Sequence, residues 1–215
     1  MRAMEYGQLV ELVKSIIENF EDSKKSLKYV VGNLPIVWFG NLDAYLKSEK
    51  RVITVGINPS DAEFLSQRFT TSDSVSDVIE SYNNYFENNP YWHWFNMNER
   101  VLKQFDTSYK TNQQSNTAIH IDLCSTFATH PTWGKLSPKE QKSLRETGKG
   151  ENRFWTLVDL LKPDLILISV AKRYLWSDLK DYKGTSIGYF HVRGRELTYY
   201  KGETFDMFFG TNNRG

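Results

Sequence analysis

Four stretches of this 215-residue chain set polar side chains directly behind short apolar, β-branched runs. Arg51-Val-Ile-Thr-Val-Gly-Ile57 leads into Asn58-Pro59-Ser60, and Thr117-Ala-Ile-His-Ile-Asp-Leu123 into Cys124-Ser125-Thr126. Asp164-Leu-Ile-Leu-Ile-Ser-Val170 leads towards Lys172 and Arg173, and the stretch Gly202 to Thr211 into Asn212-Asn213-Arg214. In the first, Gly56 permits close backbone approach, Pro59 fixes the turn, and Asn58 presents a carboxamide at the strand's mouth. A plain strand-ending Asn-Pro turn is the competing reading. Asp61, Glu63 and Asp122 are acids that adjacent strand ends would bring together around Mg²⁺, as in a nuclease or phosphoryl-transfer enzyme, although no tight acidic motif joins them. Lys172 and Arg173 suit either a phosphate contact or a solvated helix start. The basic loop His191-Val-Arg193-Gly-Arg195 suits a DNA backbone or ordinary surface charge. The four histidines, His93, His120, His130 and His191, fall in no H-x-H or H-E-x-x-H spacing. His120 reads as a satisfied core residue of its strand, and His130, in the loop Thr129-His130-Pro131, as a candidate substrate contact. Six Trp, 12 Tyr and 13 Phe make the chain 14% aromatic, enough for a core and for a base-stacking surface as well. Tyr82, Tyr85 and Phe86, beside Asn83 and Asn84, have the helical spacing of core residues, with pocket lining as the alternative.

The elements that must position these groups follow from hydrophobic period. At roughly 150 residues per domain, the length predicts one domain, residues 1–215, with residues 1–50 as an N-terminal helical elaboration packed on it. Leu9, Val10, Leu12, Val13, Ile16, Ile17 and Phe20 repeat at helical spacing, and a second helix is expected within Asn41 to Lys50. Helical material is expected up to Phe105, from Leu136 to Leu161 in two parts, and over Lys172 to Lys180. Ser137-Pro138 is a cap followed by a first-turn proline, and Lys162-Pro163 a stop. Apolar runs alternating with helices predict an α/β fold with a parallel sheet, whose ligands bind outside the carboxyl ends of the strands. A formal charge of +1 neither demands nor forbids a nucleic-acid partner. The single Cys124 excludes an intramolecular disulfide, a four-cysteine zinc site and a cysteine-ligated iron–sulfur cluster, and fits a reducing compartment. No run nears the roughly 18 apolar residues of a membrane span, and the start of the chain has no signal-peptide core, so a cytoplasmic, intracellular protein is expected.

The order Val55-Gly56-Ile57-Asn58-Pro59-Ser60, then Ile121-Asp122 through Trp133, a loop, a Ser-Pro helix start and Leu160-Leu161-Lys162-Pro163-Asp164 before a buried strand resembles the uracil-DNA glycosylase superfamily. It stands nearest the mismatch-specific thymine/uracil branch, which carries G-I-N-P after its first strand. Asn89-Pro90-Tyr91-Trp92-His93-Trp94-Phe95 is similar to the N-x-F-W helix start of that branch. The resemblance spans Val52 to Val170, with a looser tail. It implies a three-layer α/β/α fold around a four-stranded parallel sheet. It also implies hydrolysis of an N-glycosidic bond after the target base is flipped into a pocket. DNA is then the partner, the protein a monomer, and neither metal nor cofactor is needed.

Under this resemblance Asn58 orients the attacking water, with Gly56, Ile57, Pro59 and Ser60 around the substrate. Asp122 falls at or near the position where uracil-specific relatives read the base edge with an Asn. Phe69 lies where relatives place a ring that stacks on the base, though it suits a core equally. Thr211-Asn212-Asn213-Arg214-Gly215 stands in place of the H-P-S-P or N-P-S-G loop and departs from both. Either the site is unusual, or residues beyond Gly215 complete it. Asn212 and Asn213 are the candidates to donate to the departing base, and Lys172, Arg173 and Arg214 to meet the DNA backbone. No lysine stands among the residues assigned to act on the base, so none is placed to form a Schiff base and a monofunctional enzyme leaving an abasic site is expected.

Asp122 bears on the substrate. Uracil offers an N3–H donor and an O4 acceptor, which a carboxamide satisfies, whereas cytosine offers an N4 amino donor to an acidic side chain. A protonated Asp122 would match both N3 and N4 of cytosine. A cytosine derivative is therefore favoured, modified at C5 because excision of ordinary cytosine would destroy the host genome. Modified cytosines of phage DNA would make this a defence enzyme. If Asp122 merely caps its loop, uracil or mismatch repair returns, and a fold relative that binds DNA without catalysis is a further alternative.

Overall fold

A computed structural model describes residues 2–31, 34–61, 74–87, 92–170, 172–174, 185–192, 195–201 and 206–212. The first apolar run forms β1 (Val52–Gly56), in which all five residues are buried. Burial on both faces is what a β-branched run without alternation predicts. β1 pairs in parallel on one side with β4 (Ile119–Asp122), Gly56 standing opposite Asp122. On its other side it pairs in parallel with β5 (Leu165–Ile168), Val55 standing opposite Ile168. β5 in turn pairs in parallel with β8 (Asp206–Asn212). The chain is of the α/β class. Between β4 and the preceding helices, β2 (Thr107–Ser108) and β3 (Asn116–Thr117) make a short parallel ladder of their own.

The main sheet corrects the expectation of four strands. It has six, in the order β4-β1-β5-β8-β7-β6, because β6 (Thr185–Val192) and β7 (Arg195–Lys201) form an antiparallel hairpin on the far side of β8. Of the segment His191 to Arg195, expected to be a loop, His191 and Val192 end β6 and Arg195 begins β7, while residues 193–194 lie outside the described residues. Here β-branched and aromatic residues prevail over the charges that made the stretch read as surface loop. Of the expected strand Gly202 to Thr211, Asp206 to Thr211 lie in β8, and residues 202–205 lie outside the described residues. The helix expected over Lys172 to Lys180 is a 3₁₀ turn at Lys172–Tyr174, the remainder lying outside the described residues.

Helix α1 (Arg2–Ser26) buries Leu9, Val13, Ile16 and Phe20, a stripe at three- and four-residue spacing. α2 (Leu42–Lys47) starts where the Asn41 side chain accepts from Ala44 N, 2.9 Å away. α3 (Val75–Asn83) and α5 (Pro138–Thr147) both open with a capping box, Ser74 with Asp77 and Ser137 with Glu140. α4 (Trp92–Leu102) brings Trp94 and Phe95 towards β4. α6 (Gly150–Leu161) stops at Lys162, whose φ of 47° is followed by Pro163. The N-terminal segment is stitched into the same molecule. Phe39 exchanges two backbone hydrogen bonds with His120 on the outer edge of β4, at 2.8 and 2.9 Å, and Val31 and Ile36 donate to Ala128 and Thr126. One hydrophobic cluster runs from Leu9 to Val170. Among the described residues no helix is long and apolar enough to cross a membrane.

Candidate functional site

Because β1, β4 and β5 are parallel, their carboxyl ends open on the same edge of the sheet, and a cavity of about 280 Å³ lies there. Its walls are aromatic, from Phe39, Trp94, Phe95 and Trp133, and its polar groups come from Asn58, Ser60, His120, Asp122, Thr132 and Ser169. Gly56, Ile57, Pro59 and Gly134 complete the lining. Drug-sized ligands occupy pockets of roughly 300–1,000 Å³, so this cavity suits a single small ring.

The loops after β1 and β4 are zipped together. Leu123 N donates to Gly56 O and Cys124 N to Ile57 O, both at 3.0 Å, and Thr129 N reaches Pro59 O at 3.2 Å. Asn58 lies across this seam. Its Nδ2 donates to Pro59 O at 2.8 Å and to Phe127 O at 3.0 Å. Two carbonyls can face only the nitrogen of a carboxamide, so its orientation is set by its partners. The other end, Oδ1, is buried and has no hydrogen-bond partner among the described residues. A buried acceptor left without a donor costs about 1–3 kcal/mol, which a ligand or water supplying a proton recovers. Trp133 is the complementary case. Trp133 is 4% exposed, and its indole N–H is buried without an acceptor among the described residues.

Gly56 lets β1 pass close to two side chains of β4. A Cβ there would lie 2.7 Å from Asp122 Oδ1 and 2.9 Å from His120 Nε2. These two atoms stand 3.7 Å apart, with side chains 6% and 3% exposed. The His120 ring is enclosed by Phe39, Trp94 and Phe95. Its Nδ1 is 2.8 Å from Thr54 Oγ1, itself 2.6 Å from the Tyr109 hydroxyl. Complete burial raises the Tyr109 pKa well above its ordinary value, so the phenol keeps its proton. Cys124 lies just beyond Asp122, and burial pushes its thiol up to about 12, which makes it a packing residue and not a nucleophile.

The structure brings Gly56, Ile57, Asn58, Pro59, Ser60 and Asp122 together around the cavity. His130 stands apart from the cavity. Its side chain is 67% exposed, bonded through Nδ1 to Asp61 Oδ2, and does not line the cavity. The pair with Asp61 holds the imidazole at the surface, while Thr132 and Trp133 from the same loop face inward. Arg173 is exposed, with its guanidinium 4.7 Å from the Tyr174 ring centre. Lys172 is described as backbone of its 3₁₀ turn, and Asn212 as the last residue of β8. Phe69, Asn213 and Arg214, with Glu63 of the metal-binding alternative, lie outside the described residues. Among the described residues no three His, Cys, Asp or Glu side chains are grouped to hold a metal ion. Tyr82, Tyr85 and Phe86 are core.

Sequence reasoning missed Phe39, Trp94 and Trp133 as wall residues and placed His120 in the core alone. Period two along β4 puts His120 on the same face as Asp122, a signal present in the sequence. The fold and site define an α/β protein with a small, aromatic-walled cavity at the carboxyl ends of its parallel strands. No protein-family model, curated protein or solved structure matches the chain.

Proposed function

We propose that the protein is a monofunctional DNA glycosylase of the uracil-DNA glycosylase kind, built as three α/β/α layers, that flips a C5-modified cytosine into this cavity and hydrolyses its N-glycosidic bond. The carrying observation is Asn58, whose nitrogen is anchored by Pro59 O and Phe127 O while Oδ1 is left buried without a partner. A neutral acceptor held in one orientation positions a water without being a strong base. Water attacks C1′ of the sugar, the bond from C1′ to the base nitrogen breaks, the hydroxyl stays on C1′ and the proton goes to the departing base. Positive charge grows on the sugar and negative charge on the base, so donors in a water-poor site stabilise departure. The unpartnered Trp133 N–H is such a donor. Aromatic walls give the flipped ring surfaces to stack on. Asp122 accepts from the cytosine N4 amino group. Modified phage DNA is the substrate proposed, with a defence role inside the cell.

The test is release of free base from a panel of duplexes carrying modified cytosines, uracil or a mismatch. Asn58→Ala is expected to slow single-turnover release by on the order of 10²-fold while leaving duplex affinity nearly unchanged. Circular dichroism checks that the variant folds, since Asn58 also bridges two loops. Excision by the variant at nearly the wild-type rate removes Asn58 from the mechanism. Release of uracil alone replaces the defence role with repair.

A further inference from the structure

We infer that His120 is a specificity-determining residue that works with Asp122 as a donor–acceptor pair reading the edge of a cytosine-type base. The inference rests on the glycosylase reading for its ligand and on separate geometry for its chemistry. Tyr109, Thr54, His120 and Asp122 form a line from the core to the cavity, with spacings of 2.6, 2.8 and 3.7 Å. Thr54 has one proton to give. If Tyr109 donates to Thr54, Thr54 donates to His120 Nδ1, and the imidazole proton then sits on Nε2. The opposite polarity would leave a lone pair on Nε2 facing the Asp122 carboxylate across 3.7 Å. The Thr54 hydroxyl, donating to Nδ1, and the carboxylate facing Nε2 together hold the Nε2–H tautomer. The cavity wall then carries a donor, His120 Nε2–H, beside an acceptor, Asp122.

Cytosine presents an acceptor, N3, beside a donor, the N4 amino group. His120 donates to N3 and Asp122 accepts from N4. This pairing leaves Asp122 as an acceptor and needs no proton on it, so a cytosine edge is matched by two residues where the sequence offered one. Uracil, with N3–H beside O4, reverses both groups and opposes each member of the pair in the same orientation. Gly56 is what allows the pair to form, since a Cβ at that position would lie within 3.0 Å of both atoms. Phe39, Trp94 and Phe95 hold the imidazole so that it cannot turn away.

The experiment has two readings on the intact protein. Nitrogen-15 NMR of the free protein should show His120 protonated at Nε2 and bare at Nδ1. A proton on Nδ1 overturns the inference. Free cytosine and free uracil are then titrated into wild type, His120→Phe and Thr54→Val. His120→Phe keeps a ring in the aromatic cage, and Thr54→Val removes the hydroxyl that helps hold the tautomer without touching the cavity lining. Wild type should prefer cytosine by about tenfold, His120→Phe should lose that preference, and Thr54→Val should reduce it. Equal binding of the two bases by wild type, an unchanged preference in a folded His120→Phe, or binding of neither base overturns the pair. Base release from duplexes judges the enzyme reading separately. A cytosine preference that depends on His120, with no excision of any base, would leave the pair standing and remove the glycosylase. Excision without that preference would do the reverse.

Discussion

At Gly56 a methyl group has nowhere to go. The 2.7 and 2.9 Å approaches to Asp122 and His120 would force at least one side chain to shift, and the His120 ring is held by Phe39, Trp94 and Phe95. Gly56→Ala should cost about 1–3 kcal/mol in stability, as overpacking does, and should displace the pair that faces the cavity. A lower guanidinium midpoint together with lost base release is the expected outcome. A variant with both values unchanged would show that the two side chains relax freely and that their spacing does not matter. Asn58 and Trp133 make the same argument from the other side. Each leaves a polar atom buried and without a partner among the described residues.

The elements that hold these residues owe their ends to local chemistry. In α5 the Ser137 hydroxyl and N–H both donate to Glu140, while Ser137 Oγ accepts from Glu140 N. Ser137→Ala should destabilise the protein by about 1 kcal/mol, read as a lower denaturation midpoint at neutral pH. The same bonds lower the Glu140 carboxyl pKa. A carboxyl with a depressed folded pKa contributes stability that is present above its unfolded value and lost as pH falls through its folded one. The gap between wild type and Ser137→Ala should therefore narrow on acidification below the ordinary carboxylate range. A gap that is constant with pH would dismiss the reciprocal bond. At this scale the chain was legible where one signal dominated. β1, β5 and the Ser137-Pro138 helix start fall where apolar runs and capping residues place them. The hairpin β6–β7 was not, because its charged and aromatic residues carry no uniform period, and pairing with β8 supplies what local pattern lacks.

For the molecule as a whole, the proposed reaction predicts its products. Free base and an abasic strand that breaks only with alkali or heat should appear, in the presence of EDTA as in its absence. A borohydride-trapped adduct between protein and DNA would overturn the monofunctional assignment, and inhibition by EDTA would favour the nuclease assignment instead. The path from chain to site divides cleanly. The α/β class, the buried strands and the placing of Asn58 and Asp122 at strand ends were determined by sequence alone, since β-branched runs, Asn-Pro turns and capping boxes act over a few residues. The sheet order, the inward Trp133 with the outward His130, and the meeting of His120 with Asp122 over Gly56 were decided by tertiary structure. Those depend on register between strands 66 residues apart in the chain, Gly56 with Asp122, which no local propensity encodes.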